Sequence, residues 1–445
     1  MSKTKHGASL GDSPSNRPDT LERLLSHYAA VSFDKIALID PPNRNRLEGR
    51  SDNLPLCTYT FKALDAAVNR LATRISALGL ARGDYVALQM PNFSETSILV
   101  LALMRAGLVP CMIPLSWSND ELSQSFERLK PKALISCGQL NCINYSENMR
   151  ELAFAHMHVR FVMGVGYDIA EGVSDITPLF DPNQELDNAP FVAPPFDSAL
   201  SDLGLVTYID PITPVPHNSG QILSSGLLHV LELQLCASDH ILSAYPLSSI
   251  PGLAAHFYPW LMSGSCMTLH QPFDFSVLQE QMRAKSFSYF AAPEQVIDYL
   301  LRKDLPVPQK LSIVRRASHL PTCDLDVLPS LDLYDLWNLG GLGSVPVKYQ
   351  NFEPTGLFEG GRICLASATH QQLCLAGAEI INDRLHVKGR IFSDVSSLKT
   401  SLEWISLKKR VDDGWLDTGL IAFAGPDNSV LLGGEPLEEM QKVAS

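Results

Sequence analysis

No two cysteines of this chain are spaced CxxC, and its nine cysteines are scattered singly along 445 residues. Disulfide frameworks and structural zinc sites depend on such spacings, so reduced thiols in a cytoplasmic protein, without a bound metal, are the expectation. A basic block is missing too. With 35 Lys+Arg against 48 Asp+Glu, the net charge of −13 repels the phosphates of nucleic acid and excludes it as a partner. No apolar run is long and clean enough to cross a membrane. The nearest, SILVLALMRAGLVPCMIPL (97–115), carries Arg105 and is broken by Gly107, Pro110 and Pro114. It reads as a buried helix, a turn and a buried strand. Tandem repeats are absent, and so is GxSxG, which removes support for a hydrolase. Residues 1–19 lack an apolar segment and read as a disordered leader, not as a signal peptide.

What is present alternates between helix and strand. TLERLLSHYAAV (20–31) is expected to form a helix, with Thr20 at its N-cap, and KIALID (35–40) a buried strand. From Phe61, apolar residues recur at helical spacing through Leu64, Ala67, Leu71, Ile75 and Leu78, until Gly79 stops the helix. Strands at YVALQM (85–90), VPCMIPL and KALISC (132–137) alternate with helices, the pattern of a parallel sheet covered on both faces. A Pro- and Asp-rich linker over 178–202 precedes renewed alternation to about Leu333. After about Gly340, short β-like runs separated by polar turns predict a small antiparallel barrel or sheet.

One stretch lacks what its position calls for. TYIDPITPVPHNSGQIL (207–223) leads from an apolar, β-leaning run into a helix, QILSSGLLHVLELQL (221–235). Free backbone N–H groups at such a turn often hold phosphate, given glycines for close approach and a cation for the charge. Here no glycine occurs before Gly220, and there is no lysine or arginine. Pro211, Pro214 and Pro216 stand in the stretch instead. His217 within it is expected to be a solvated loop residue.

The order of segments resembles the adenylate-forming superfamily: acyl-CoA synthetases, nonribosomal peptide adenylation domains and luciferases. The resemblance is carried by residues 59–137, with "GD.VA....N", an apolar helix, "AG..P" and "P.ALI" in order. It continues through AYPLSSIPGLAAHFYPWLMSGSCMTLHQ and DDGWLDTGL (412–420), and covers about residues 20–437. It implies an α/β fold: paired α/β subdomains over 20–340, a small β-barrel over 341–433 and a hinge or tail over 434–445. It also implies a reaction, attack of a carboxylate on Mg·ATP to give an acyl-adenylate that passes to a thiol.

The residues that the resemblance makes responsible for this reaction have largely changed. The phosphate loop falls on TYIDPITPVPHNSG, where Asp210 adds a negative charge. The Tyr-Gly-x-Thr-Glu motif falls on YDLWN (334–338). Tyr334 is kept for adenine stacking, but Trp337 stands at the phosphate-contacting Thr and Asn338 at the Mg²⁺-holding Glu, a weaker ligand for a hard cation. Thr418 and Gly419 survive from Thr-Gly-Asp, and Leu420 replaces the ribose-binding Asp with a side chain that accepts nothing. The hinge Gly-Arg reads Gly433-Gly434, and the histidine near the acyl pocket reads Ser249. The mobile C-terminal domain with its lysine is expected to be absent beyond Ser445. Gly340 and Gly341 open GGLGS (340–344), either a pocket wall or a plain turn. Trp337 either fills the vacated phosphate space or packs at the surface. His156 and His158, on one face of a possible strand, lack a third metal ligand in view and read as structural.

A hydrogen bond to a charged group is worth roughly 1.5–3 kcal/mol, so four lost contacts remove on the order of 6–12 kcal/mol before non-additivity. Even half of that costs a factor of at least ~10² in rate. The sequence therefore reads as a degenerate, non-ligating relative with no catalytic residue and no cofactor, acting as a binding or regulatory subunit. Its expected ligand is an acyl or aryl carboxylic acid, held near Ser249, Trp337, Gly340 and Gly341. Its expected protein partner is a carrier protein, a partner ligase or a second copy, docked at a cleft rim near Trp337 and Leu420. The alternative is an active acid–thiol ligase using ATP and Mg²⁺, its C-terminal domain supplied in trans.

Overall fold

The fold is that of a computed structural model, which describes residues 20–52, 54–182, 200–271, 273–303, 305–315, 331–348, 362–366, 372–393, 395, 402–424 and 430–432. The leader, the central part of the linker, the glycine pair 433–434 and the tail lie outside the described residues.

Helix Phe61–Ser76 forms because its apolar residues share one face and because Thr60 accepts the Ala63 N–H at its start, a side-chain N-cap. Its stripe from Phe61 to Ile75 is buried in the main core. The segment that imitates a membrane span folds as expected. Helix Ser94–Arg105 is followed by Gly107 at φ +74° and by strand Val109–Met112. No helix among the described residues is long and apolar enough to cross a membrane. Ser118 and Glu121 form a reciprocal capping box on helix Asn119–Leu129.

The strands form two large sheets. In the first, Val109–Met112, Tyr85–Gln89, Ala133–Cys137 and Phe161–Val165 run parallel, with Leu203–Asp210 joining beside Val109–Met112. The second has a parallel interior: Asp332–Asn338, Lys310–Arg315, Tyr289–Ala292, His240–Ser243, Cys266–Leu269 and Ile36–Ile39. It is closed at its two ends by antiparallel strands, Ser344–Lys348 and Thr58–Thr60. The sheets therefore interleave along the chain, the first strands of the sequence belonging to the second sheet. Ser344–Lys348 still belongs to that sheet, so the small sheet starts later than residue 341. The small sheet is antiparallel and six-stranded, and includes Gln372–Ile381, Arg384–Lys388 and Trp415–Ala424.

A buried ion cluster ties the ends of several elements together. The Arg44 guanidinium meets Asp40 at 2.6 Å, Glu48 at 3.1 Å and Glu95 at 2.5 Å, and Asp40 also accepts the Ser94 N–H at 2.7 Å. Burial, opposed by Arg44, raises the Asp40 carboxyl to about 6. His156 and His158 do not lie on a strand. They follow the end of helix Tyr145–Ala155, with His156 buried and its Nε2 3.0 Å from Ser123 Oγ. Among the described residues, no group of three metal-ligating side chains gathers there or elsewhere.

Candidate functional site

The stretch expected to be a loop is a β-hairpin. Leu203–Asp210 pairs antiparallel with Thr213–Asn218, from Leu203 opposite Asn218 to Asp210 opposite Thr213, with a register shift near each end. Only Pro211 and Ile212 are left at the tip. Pro214 and Pro216, two apart, place both missing N–H groups on one side of the ribbon, which a terminal strand tolerates on its open edge. At the tip, Pro211 has no N–H, and the Ile212 N–H is taken by Asp210 Oδ1 at 2.9 Å.

The helix that follows, Ser219–Glu232, is closed as well. Its first N–H groups go to the Asp202 carbonyl (from Ser219, 3.0 Å), the Leu200 carbonyl (from Gly220, 2.8 Å) and Asn218 Oδ1 (from Gln221, 2.8 Å). Asn218 and Gln221 complete a reciprocal capping box. Neither end of the second strand thus offers a free cluster of donors to a phosphate. His217, expected in solvent, is buried. Its Nε2 lies 2.7 Å from Thr207 Oγ1, and burial lowers its pKa to about 4.

The segments that the motif comparison singled out do converge. GGLGS is the turn of the hairpin between Asp332–Asn338 and Ser344–Lys348, with Gly341 N–H donating to Asn338 Oδ1 at 3.3 Å. A methyl group placed on Gly340, at φ +59°, would lie 2.1 Å from the Thr418 carbonyl oxygen, and one on Gly341 3.3 Å from Ile209 Cγ1. The hairpin base, the turn and Thr418–Leu420 therefore stand against one another.

What fills this junction is apolar. Leu339, Leu342, Val345, Leu385, Phe392 and Leu420 belong to one buried cluster, with Ile209 and Trp337 packed against it. Leu420 is only 7% exposed, which overturns the expectation that it stands at an open rim: the turn and the small sheet wall it in. The Thr418 hydroxyl is engaged twice, donating to the Leu385 carbonyl at 2.8 Å and accepting the Leu420 N–H at 3.2 Å. Trp337 is half-buried, and its indole N–H has no partner among the described residues.

Tyr334 lies in the main core at 2% exposure, its ring beneath Lys348 Nζ at 5.8 Å, and burial raises its hydroxyl pKa to about 12. Its ring offers no open face in this arrangement. Ser249 is the N-cap of the helical segment that begins at Ile250. Its hydroxyl donates to the Pro246 carbonyl at 2.8 Å and accepts the Gly252 N–H at 3.2 Å. The structure does not show Ser249 in contact with the GGLGS turn.

Sequence reasoning passed over three buried polar side chains beside these elements. His229, on the helix after the first hairpin, spans from the Ser225 carbonyl (2.8 Å) to Ser344 Oγ (3.2 Å). His256 sits in a π-helical turn, Leu253–Phe257, and its Nε2 has no partner among the described residues; the Tyr258 hydroxyl has none either. A polar residue inside an otherwise apolar helical run was the available signal.

The fold matches that of the N-terminal domain of adenylate-forming enzymes. Residues 25–167 match the family model "AMP-binding enzyme". Over 144 residues it is 28% identical to the Mycobacterium tuberculosis salicyl-AMP ligase / salicyl-S-ArCP synthetase, a match covering 32% of this chain and 24% of that protein. The chain spans 24% or less of the first curated relatives it matches. In structure it resembles the N-terminal domain of FACL13 from Mycobacterium tuberculosis (TM-score 0.65, 16% identity, 93% of this chain and 99% of that one). It also resembles Bacillus subtilis O-succinylbenzoate coenzyme A synthetase in complex with ATP and magnesium ion (TM-score 0.67, 17% identity, 92% and 98%).

Proposed function

We propose that this protein is a non-ligating member of the acyl- and aryl-acid adenylating group, kept as a binding or regulatory subunit for an acyl ligand, a carrier protein or a partner ligase. The observation that carries the reading is the hairpin Leu203–Asn218. Its tip is reduced to Pro211 and Ile212, with the one N–H between them bound to the chain's own Asp210. The hairpin itself would bring a carboxylate, and no lysine or arginine, to a triphosphate there. The residues at the junction do not fit Mg·ATP: the Thr418 hydroxyl is spent on backbone groups, and Leu420 faces an apolar cluster. We therefore derive no adenylation step.

Salicyl-AMP ligase and coenzyme A synthetase are the names of relatives. They support an acid or its carrier as the class of partner, and go no further for this chain. The test is carboxylate-dependent ATP–pyrophosphate exchange by the purified chain, over fatty and aromatic acids, alone and with a carrier protein. The reading expects no exchange above the no-enzyme background. Robust exchange would replace it with an active ligase.

A further inference from the structure

On helix Asn119–Leu129, Ser123 and Glu127 stand one turn apart and so share a face. His156 reaches that face from the end of helix Tyr145–Ala155. Its Nε2 is 3.0 Å from Ser123 Oγ, and its Nδ1 is 3.3 Å from Glu127 Oε1, an ion-pair distance at which the N–H is not aligned. Contacts of this kind commonly tighten only when substrate binds. The ring itself is fixed. It is buried, lies edge-on to Phe126 at 5.5 Å, and belongs to a turn closed by the Val159 N–H on the His156 carbonyl at 2.9 Å.

This order of groups settles where the protons belong. A carboxylate facing Nδ1 keeps the imidazole proton on that nitrogen, which leaves the Nε2 lone pair to accept from the Ser123 hydroxyl. In that arrangement a serine becomes a nucleophile. It also meets a cavity. Ser123, Gln124, Glu127, Arg128, Ile212 and Leu402 line a space of about 330 Å³, enough for a small ligand. Ile212 and Leu402 make its walls apolar, while Gln124 and Arg128 bring side-chain donors. Arg128 is held there by its Nη1, which donates to the Leu402 carbonyl at 3.0 Å.

We propose that Ser123, His156 and Glu127 hydrolyse small esters at this cavity. Ser123 Oγ attacks the ester carbonyl carbon as its proton passes to His156 Nε2. Gln124 and Arg128 meet the oxyanion that forms. Collapse breaks the ester C–O bond, and the departing alkoxide takes the proton from Nε2. Water, giving a proton to the same nitrogen, then attacks the acyl-serine; the acid leaves and the proton returns to Ser123 Oγ. Ser123 and His156 are the catalytic residues, and Glu127 is a positioning residue. The first hairpin contributes only Ile212 to this cavity, and the proposal does not depend on whether the chain ligates acids.

The full chain is assayed with p-nitrophenyl acetate and labelled with a fluorophosphonate, the modified peptide being located by mass spectrometry. The wild type is expected to turn the ester over repeatedly and to carry the phosphonyl group on Ser123. Ser123→Ala should keep the wild-type melting temperature, lose the label and lose at least about 100-fold in kcat/KM, as should His156→Gln for the rate. Glu127→Gln should lower kcat with KM unchanged, which a merely structural ion pair would not do. No label on Ser123, hydrolysis that survives Ser123→Ala, or an unchanged kcat in Glu127→Gln would overturn the proposal. Because Ser123 is half-buried and Glu127 exposed, their variants decide the matter even if His156→Gln does not fold.

Discussion

Restoring the family's carboxylate at Leu420 should damage this protein, not repair it. Leu420 is 7% exposed and shares a buried cluster with Leu339, Leu342 and Phe392. Truncating such a leucine to alanine costs about 2–5 kcal/mol. Leu420→Asp adds a carboxyl with no cation among the cluster residues, so it must stay desolvated or take up a proton, for roughly 1–3 kcal/mol more. A total of about 3–8 kcal/mol is a large share of the 5–15 kcal/mol that holds a typical protein folded. Measured by urea or thermal melting, Leu420→Asp should be clearly less stable than Leu420→Ala. The gap should narrow as pH falls, because a carboxyl whose pKa is raised by burial loses its penalty on protonation. A Leu420→Asp protein that melts like wild type, or that gains Mg·ATP binding, would refute the picture of a filled junction.

Four other perturbations follow from the same geometry. Arg44→Met leaves Asp40, Glu48 and Glu95 buried without their shared cation, and should destabilise by roughly 3–5 kcal/mol by melting, most severely above neutral pH. Burial holds His217, His229 and His240 at about 4 and His256 at about 3. These depressed pKa values make stability fall as pH drops from about 6.5 towards 4, and four histidines should outweigh the carboxyls of Asp40, Glu22 and Glu232, which burial raises and whose contribution runs the other way. A pH series of melting temperatures checks this sign, and His217→Gln should shift the acid transition downward. Gly340→Ala drives a methyl into the Thr418 carbonyl and should cost several kcal/mol by the same assay. Gly79→Ala, with a similar positive φ and nothing within 4 Å, should cost only about 1 kcal/mol.

Local signals in the sequence were reliable where one element explains itself. Helix Phe61–Ser76 follows from apolar spacing and a capping threonine, and the split of 97–115 into helix, turn and strand follows from Gly107 and the prolines. Three prolines made 207–220 look like a loop, because their missing N–H groups forbid a central strand. Only the sheet order makes Thr213–Asn218 a terminal strand, where the same prolines are harmless. The pairing of Ile36–Ile39 with Cys266–Leu269 was hidden for the same reason, being a contact across more than two hundred residues.

At the site, the substitutions were legible one by one: Leu420, Asn338 and the missing glycines and lysine. Their surroundings were not. That Leu420 is walled in, that His217 bonds Thr207, and that the Thr418 hydroxyl is doubly engaged depend on neighbours distant in sequence. A motif can show that a group has gone, but only packing shows what took its space.

We propose that the position of the nucleotide site is closed, and equilibrium binding of Mg·ATP tests this without requiring any acid, thiol or further domain. By titration calorimetry with the purified chain, we expect no saturable heat up to millimolar Mg·ATP, and no rise in melting temperature beyond that given by Mg²⁺ alone. Saturable, magnesium-dependent binding with Kd of about 100 μM or tighter, roughly 5.5 kcal/mol of favourable free energy, would contradict it.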